Sequence, residues 1–458
     1  MREVASEIRK LEGLIGDAVH EGRVTAENVT RDFAVKLDEA NPLGYLRQHF
    51  FIPKIKDLVE QFDDKRKDSI YFNGNSLGCQ PKATASHVSS VLENWKVKGM
   101  NCHFQGYLPA ALCDEKIQDL ILPLVGAKAG EVALMNSLSV NLQLLLLAFY
   151  KPDGLRRKII IEKHAFPSDY YLVASRIQLA GFDPADCLIE VTPKEGKNTL
   201  EHSHILEAIR DVGDELALVL WPPVQYFTGQ VFQMQEIINT AHEVGAFCGL
   251  DCAHGVGNIE LKLHDWKADF AVWCGYKYLN GSPGTVGGAF LHSSIDANTL
   301  TKSRGWWGHK LDSRFKMDNN WEGSGGISEF RLGNPPPVQM ATLVAPLELF
   351  NKHPMVEFEA AGRNLSGYCI ALLKATVGLQ IRFITPDKMI EDRGCQISFT
   401  ITSKKTEPRA VFEQLRARGV VCDFREPGSI RLATVPMYNK FTDIYDFAII
   451  LKTILESH

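Results

Sequence analysis

Three short apolar runs decide the fold: LALVLW at 216–221, AFCGLD at 246–251 and FAVWC at 270–274. Each has the length of a β-strand, and each is apolar throughout except for Asp251 at the end of the second. Between the first two, Gln235–Val244 spaces its apolar residues as a helix does. The pattern continues outward. Lys158–Ile161 and Cys187–Val191 read as strands, each followed by a helix, over Ser168–Leu179 and His204–Val212; Gly288–Leu291 reads as a further strand. Apolar strands alternating with helices predict an α/β protein with a mostly parallel sheet sandwiched by helices.

The flanks differ from this centre. Residues 1–60 read as helical and loop-rich, with a charged run at Asp63–Asp68. Residues 300–337 are rich in Gly, Trp and Asn, and a long irregular stretch in a compact protein is functional or forms an interface. Helices follow over Val338–Lys352 and Val356–Thr376. After them come strands at Gln396–Ile401, Val420–Asp423 and Ser429–Ala433, and helices at Pro408–Arg418 and Thr442–Leu455. The expected organisation is an N-terminal helical segment (1–64), a large α/β domain (65–335) and a smaller α+β C-terminal domain (336–458), with the N-terminal segment packing on the last.

Composition narrows the function. The chain has 458 residues, 45% of them hydrophobic and 23% charged, which excludes a disordered, collagen-like or coiled-coil protein. A net charge of −5 argues against a broad basic surface for nucleic acid. Ten cysteines without a CxxC pair read as reduced, buried thiols. Cys248, Cys252 and His254 lack a fourth ligand and the tight spacing of a zinc site, so no metal is expected. The N-terminal MREVASEIRKLEGLIGDAV is a mixed-charge amphipathic helix without a secretory or transit pattern. The most apolar stretch, Val140–Tyr150, is too short to span a bilayer, so a cytoplasmic protein is expected.

Ligands of open α/β sheets bind beyond the carboxyl ends of the strands, which points to three places. Asp251 ends an apolar strand, where an acid needs a cation or a donor; a helix N-cap would satisfy it, and so would a protonated ring nitrogen. Lys277 lies just after another strand end, between Tyr276 and Tyr278; it reads either as a snorkelling lysine or as one able to form a Schiff base. Asn136–Asn141 turns from strand to helix with Ser137 and Ser139, a plain N-cap or a phosphate cradle. Together they fit one cofactor, pyridoxal 5′-phosphate, which needs a Schiff-base lysine, an acid at its ring nitrogen and a phosphate cradle. Phe166 and Asp169 at the next strand-to-helix turn can cover and hydrogen-bond its ring. The glycine-rich 281–288 contains Pro283 and leads into a strand, unlike a dinucleotide loop.

These residues resemble fold-type I pyridoxal-phosphate enzymes of the class V aminotransferase-like group. Longer motifs resemble kynureninases within them: Tyr71-Phe-Asn-Gly-Asn-Ser76, Ala133-Leu-Met-Asn-Ser-Leu-Ser139, Ala165-Phe-Pro-Ser-Asp169, Gly305-Trp-Trp-Gly308, Arg314-Phe-Lys-Met-Asp-Asn319, Phe330-Arg-Leu-Gly-Asn334 and Gly419-Val-Val-Cys-Asp423 followed by Ile430-Arg431. The resemblance runs from about residue 45 to the C-terminus. It implies Lys277, Asp251 and Tyr276 as catalytic residues. It implies cofactor contacts from Leu138, Ser139, Phe166, Pro167, Ser168, Asp169, Asp251, His254, Tyr276, Lys277, Trp306 and Asn334. Substrate contacts would come from Ser76, His103, Asn334 and Arg431, the last holding the α-carboxylate.

The implied activity is hydrolysis of L-kynurenine or 3-hydroxy-L-kynurenine to L-alanine and anthranilate or 3-hydroxyanthranilate, by a homodimer with sites at the subunit interface. Three positions depart from the family pattern: Ser139 for a common Thr, Trp307 for a common Phe, and Pro222 where a Ser often faces the cofactor. Two other readings fit the same core residues. One is a different pyridoxal-phosphate enzyme, such as an aminotransferase or a cysteine desulfurase. The other is a catalytically idle binding protein.

Overall fold

The computed structural model describes residues 2–20, 24–25, 27–60, 66–403 and 406–457; the start of the charged run at Asp63–Asp68 lies outside them. Seven strands form the main sheet: β1 (Val132–Met135), β2 (Lys158–Glu162), β3 (Leu188–Val191), β4 (Leu216–Trp221), β5 (Phe247–Asp251), β6 (Phe270–Trp273) and β7 (Gly287–Leu291). Their spatial order is β1-β7-β6-β5-β4-β2-β3. Only β7 runs against its neighbours; the other pairs are parallel. The strands expected between 158 and 291 stand within one residue of their expected ends.

The apolar runs have a physical reason. Ile159, Ile161, Leu218, Leu220 and Val272 face one apolar cluster, while Ile160, Val219, Trp221, Ala271 and Trp273 face another. Successive side chains point to opposite faces, so a strand covered on both sides must be apolar at every position.

Two N-terminal helices, α1 (Arg2–His20) and α2 (Arg31–Ala40), precede the sheet. Helices α3 (Leu138–Phe149) and α4 (Pro167–Leu179) follow β1 and β2, so their N-termini lie at the carboxyl ends of those strands. Helices α5 (Met355–Thr376) and α6 (Phe441–Glu456) flank a second sheet. That sheet is antiparallel and consists of β8 (Ile381–Phe383), β9 (Gln396–Ile401), β10 (Asp423–Arg425) and β11 (Ser429–Ala433), in the order β8-β9-β11-β10. One apolar cluster joins Leu11, Ile15, Phe33 and Leu37 to Leu365, Leu372, Phe447 and Leu451. The N-terminal helices therefore share a core with the C-terminal ones.

The expected strand Val420–Asp423 is divided. Val420–Val421 pairs in parallel with Ile70–Tyr71, whereas Asp423 begins β10 and pairs with Arg431. The break at Cys422 moves the chain from one sheet to another, a change that apolar patterning alone does not mark.

Candidate active site

A cavity of about 200 Å³ opens at the carboxyl ends of the main-sheet strands. Asp251 reaches it as the last residue of β5, and Lys277 from the turn after β6. The two strands are neighbours, with Asp251 opposite Val272, so the sheet itself brings acid and lysine to one place. Arg431 enters from β11 of the second sheet, and Ser76 from the segment after Ile70–Tyr71.

The N-termini of α3 and α4 converge on the same space. Leu138, Ser139, Phe166, Ser168 and Asp169 line it. Ser139 Oγ and Ser168 Oγ lie 2.7 Å apart, linking the first turns of both helices. Ser137 occupies the N-cap position of α3 but makes no capping bond with its side chain, so the plain N-cap reading does not describe it. Two helix N-termini with two hydroxyls form a donor-rich end suited to an anion. Phe166 stands at the rim, with Lys277 Nζ 5.8 Å from its ring centroid and the Tyr226 ring 5.2 Å away, edge to face.

The acids behave unequally. Asp251 is buried, and its Oδ1 accepts from Ala253 N at 2.8 Å, so one oxygen shapes the turn after β5 and part of the carboxylate remains for the cavity. Burial pushes the Asp169 carboxyl well above its ordinary range, and the adjacent Asp251 adds to the rise. Glu162 at the end of β2 is raised for the same first reason, only partly offset by the Gln225 amide, with Oε1 to Nε2 at 3.3 Å. Burial, then the charges of Lys277 and Arg431, hold His254 well below its usual value; its Nδ1 faces Gln396 Oε1 at 3.2 Å. Burial pushes the Tyr276 phenol up to about 12.

Arg431 is fully buried and held at three points. Its Nε donates to Asp423 Oδ2 at 2.8 Å, one terminal nitrogen bonds the same oxygen, and the other bonds the Tyr226 carbonyl. Arg425 Nε donates to Asp423 Oδ2 at 3.0 Å and also lines the cavity.

Most residues singled out in the sequence thus share one space. Pro167 lies in the first turn of α4 but does not line the cavity. His103, Trp306 and Asn334 are apart from it, at the surface of this chain. His103 meets Phe104, Phe104 meets Phe315, and Phe315 meets Trp306, with ring centroids 6.4, 5.4 and 5.6 Å apart. They form an exposed aromatic ridge, flanked by Met100 and Met317 at 81% and 73% exposure.

Sequence reasoning missed Glu162, Tyr226 and Arg425 as cavity residues. Glu162 carries the signal that found Asp251, an acid ending an apolar strand. Tyr226 and Arg425 sit in a loop and an edge strand, and nothing in their local pattern marks them. Pro222 does line the cavity, so the missing serine hydroxyl falls at the site. Cys248, Cys252 and His254 do not converge. Among the described residues, Glu131, His264 and His292 can, but Glu131 precedes β1, and Ser293 N, Lys128 N and His264 Nδ1 already occupy its oxygens.

The donor set suits pyridoxal phosphate. It offers a lysine, a buried acid, an aromatic face and a donor-rich anion end. Asp169 Oδ1 and Glu162 Oε2 are buried and make no bond within the chain.

The fold is shared with solved fold-type I structures. An apo cysteine desulfurase from Thermococcus onnurineus NA1 superposes with a TM-score of 0.71 over 85% of this chain and 95% of its own, at 17% identity. A cysteine desulfurase from Escherichia coli gives 0.69 over 91% and 98%, at 13% identity. The chain therefore shares the α/β fold of these structures. The family model described as the kynureninase C-terminal domain matches residues 359–451. The kynureninases of Mus musculus and Homo sapiens are 42% and 41% identical to it, each over 93% of both chains. That of Xanthomonas oryzae pv. oryzae (strain PXO99A) is 43% identical over 92% of this chain and 97% of its own. The chain belongs to the kynureninase family.

Proposed function

We propose that this protein is a pyridoxal-phosphate-dependent hydrolase that converts L-kynurenine, 3-hydroxy-L-kynurenine or both, with water, to L-alanine and anthranilate or 3-hydroxyanthranilate. The observation that carries the reading is the meeting of Lys277, Asp251 and Arg431 in one cavity of a kynureninase-family chain. The cofactor supplies an electron sink beside the substrate amine.

The residues then divide the work. Lys277 anchors the cofactor and takes the proton from the substrate α-carbon. Asp251 keeps the ring nitrogen protonated. The amides and hydroxyls at the starts of α3 and α4 hold the phosphate. Phe166 covers the ring. Arg431 binds the α-carboxylate with its planar fork. Tyr276, whose phenol stays protonated, delivers a proton to the departing β-carbon. Ser76, His103 and Asn334 lie toward the aryl end.

His103, Trp306 and Asn334 lie outside this chain's own cavity, and an exposed aromatic ridge joins the first two. Both facts support a homodimer in which each chain lends this ridge to its partner's site. We place the large domain at 65–335 and the small one at 336–458, with 1–64 packed on the latter, as the shared apolar cluster supports. No helix among the described residues is long and apolar enough to cross a membrane. We further propose a cytoplasmic location and a place in tryptophan catabolism toward pyridine nucleotide synthesis.

A desulfurase is the weaker reading. Nine of the ten cysteines are buried and Cys102 is half-buried; the one lining the cavity, Cys274, has its thiol pushed up by burial. A reactive thiolate needs the opposite. Detection of alanine with anthranilate or 3-hydroxyanthranilate, in equal amounts, tests the proposal.

A further inference from the structure

A second cavity of about 440 Å³ adjoins the first, and Glu162 and Tyr226 line both. Glu162 therefore stands in the wall between two spaces. It is buried, its Oε1 faces Gln225 Nε2, and its Oε2 makes no bond within the chain. The Gln225 amide is fixed in this sense because its Oε1 accepts from Phe227 N at 2.6 Å and Thr228 N at 2.7 Å.

The charges around Glu162 can be named from each side. Asp169 of α4, Asp251 of β5, His254, Lys277, Tyr226, Arg425 and Arg431 face the first cavity. Lys163, His164, Lys194, Glu195, Lys197 and Glu426 face the second. Several of these are committed elsewhere. Arg425 and Arg431 are bound to Asp423, Lys163 to Glu190 and Lys194 to Glu201. Three carboxyl groups thus share the inner wall with Lys277 as their cation, and Glu162 Oε2 and Asp169 Oδ1 are both buried without a bond inside the chain. Three buried carboxylates around one cation disfavour one another, so burial holds some of them protonated.

We propose that Glu162 is a positioning residue that remains neutral in the folded protein and, with Asp169, leaves the wall's single negative charge on Asp251. It rests on the reading of Asp251 as the partner of the cofactor ring nitrogen. Glu162 acts through the other two acids and touches no reacting atom. Its neutral carboxyl also seals the wall between the two cavities without adding a charge that would compete with Asp251 for the ring proton.

The sign of the pH effect follows. An acid whose folded pKa is raised stabilises the fold least at high pH, because the unfolded chain ionises there and the folded one does not. The contribution is present below the ordinary glutamate range and is lost as pH rises toward the folded value.

The test uses the full chain without cofactor, so its failure is separate from failure of the assigned activity. Glu162→Gln matches the neutral acid in charge and shape. The apo variant is expected to gain melting temperature over wild type as pH rises from about 5 to about 8. It is also expected to lose an infrared band of an un-ionised carboxylic acid at about pH 8. In the loaded enzyme, the pH midpoint of the cofactor absorbance should stay where wild type has it. A melting difference independent of pH, an unchanged infrared spectrum or a displaced midpoint overturns the proposal, as does a variant that does not fold. Gln225→Glu is an independent check. A neutral Glu162 donates to the new carboxylate and the apo fold holds at about pH 8, whereas two ionised groups would unfold it there and overturn the proposal.

Discussion

Asp423 and Arg431 stand directly opposite each other on adjacent antiparallel strands, and the Asp423 carboxylate takes Arg431 Nε at 2.8 Å. The strand register thus aims the guanidinium before any substrate arrives. Arg431 is buried, and burial lowers its pKa from the usual value while Asp423 opposes the fall. An oriented cation is what a substrate carboxylate needs. Arg431→Lys loses the fork and is predicted to raise KM at least about tenfold, at roughly 1.5–3 kcal/mol for a charged hydrogen bond. Asp423→Ala frees the guanidinium and should raise KM with cofactor affinity unchanged. Steady-state kinetics beside a cofactor titration separate the two effects.

Gly78 predicts a second outcome. Its N–H donates to the Tyr276 carbonyl at 2.8 Å, and a Cβ there would lie 2.5 Å from the Lys277 carbonyl and 2.7 Å from Asn280 Cα. Both are backbone atoms that cannot swing aside. Gly78→Ala should therefore displace the lysine turn, costing about 1–3 kcal/mol of stability and more than about tenfold in kcat. Thermal unfolding and turnover, measured together, check it.

How legible was this site? The apolar strands announced the main sheet because burial on both faces leaves no polar position. Asp251 and Lys277 were visible as charges that end or follow such strands. Glu162 had the same signature and went unread, because the expected strand stopped at Ile161, one residue short of it. Arg431 and its partner Asp423 came only from resemblance. Their meeting depends on the register of the short hairpin that pairs β10 with β11, which the apolar pattern does not mark. His103, Trp306 and Asn334 were named from resemblance as well, and they lie outside this chain's cavity.

Tyr276 offers a discriminating variant. Burial pushes its phenol up to about 12, so it stays a proton donor through neutral pH and gives kcat no break there. If it moves a proton, Tyr276→Phe should lower kcat about a hundredfold even with saturating cofactor. If it only binds phosphate, the variant will weaken cofactor affinity and recover full kcat at saturation. The account predicts the first result.

Sharing of the aromatic ridge between subunits can be tested by mixing. Lys277→Ala and Trp306→Ala should each be inactive as homodimers. Unfolded together and refolded, they should recover up to about a quarter of wild-type activity, because half the dimers then hold one intact site. Recovery of none would place Trp306 with its own chain's cavity.

The most direct measurement incubates the purified, cofactor-loaded protein with 3-hydroxy-L-kynurenine, and separately with L-kynurenine, and follows products by mass spectrometry. The account predicts alanine and 3-hydroxyanthranilate, or alanine and anthranilate, in equal amounts from at least one substrate, and none from Lys277→Ala. A protein that binds pyridoxal phosphate through Lys277 yet forms neither product pair would contradict it.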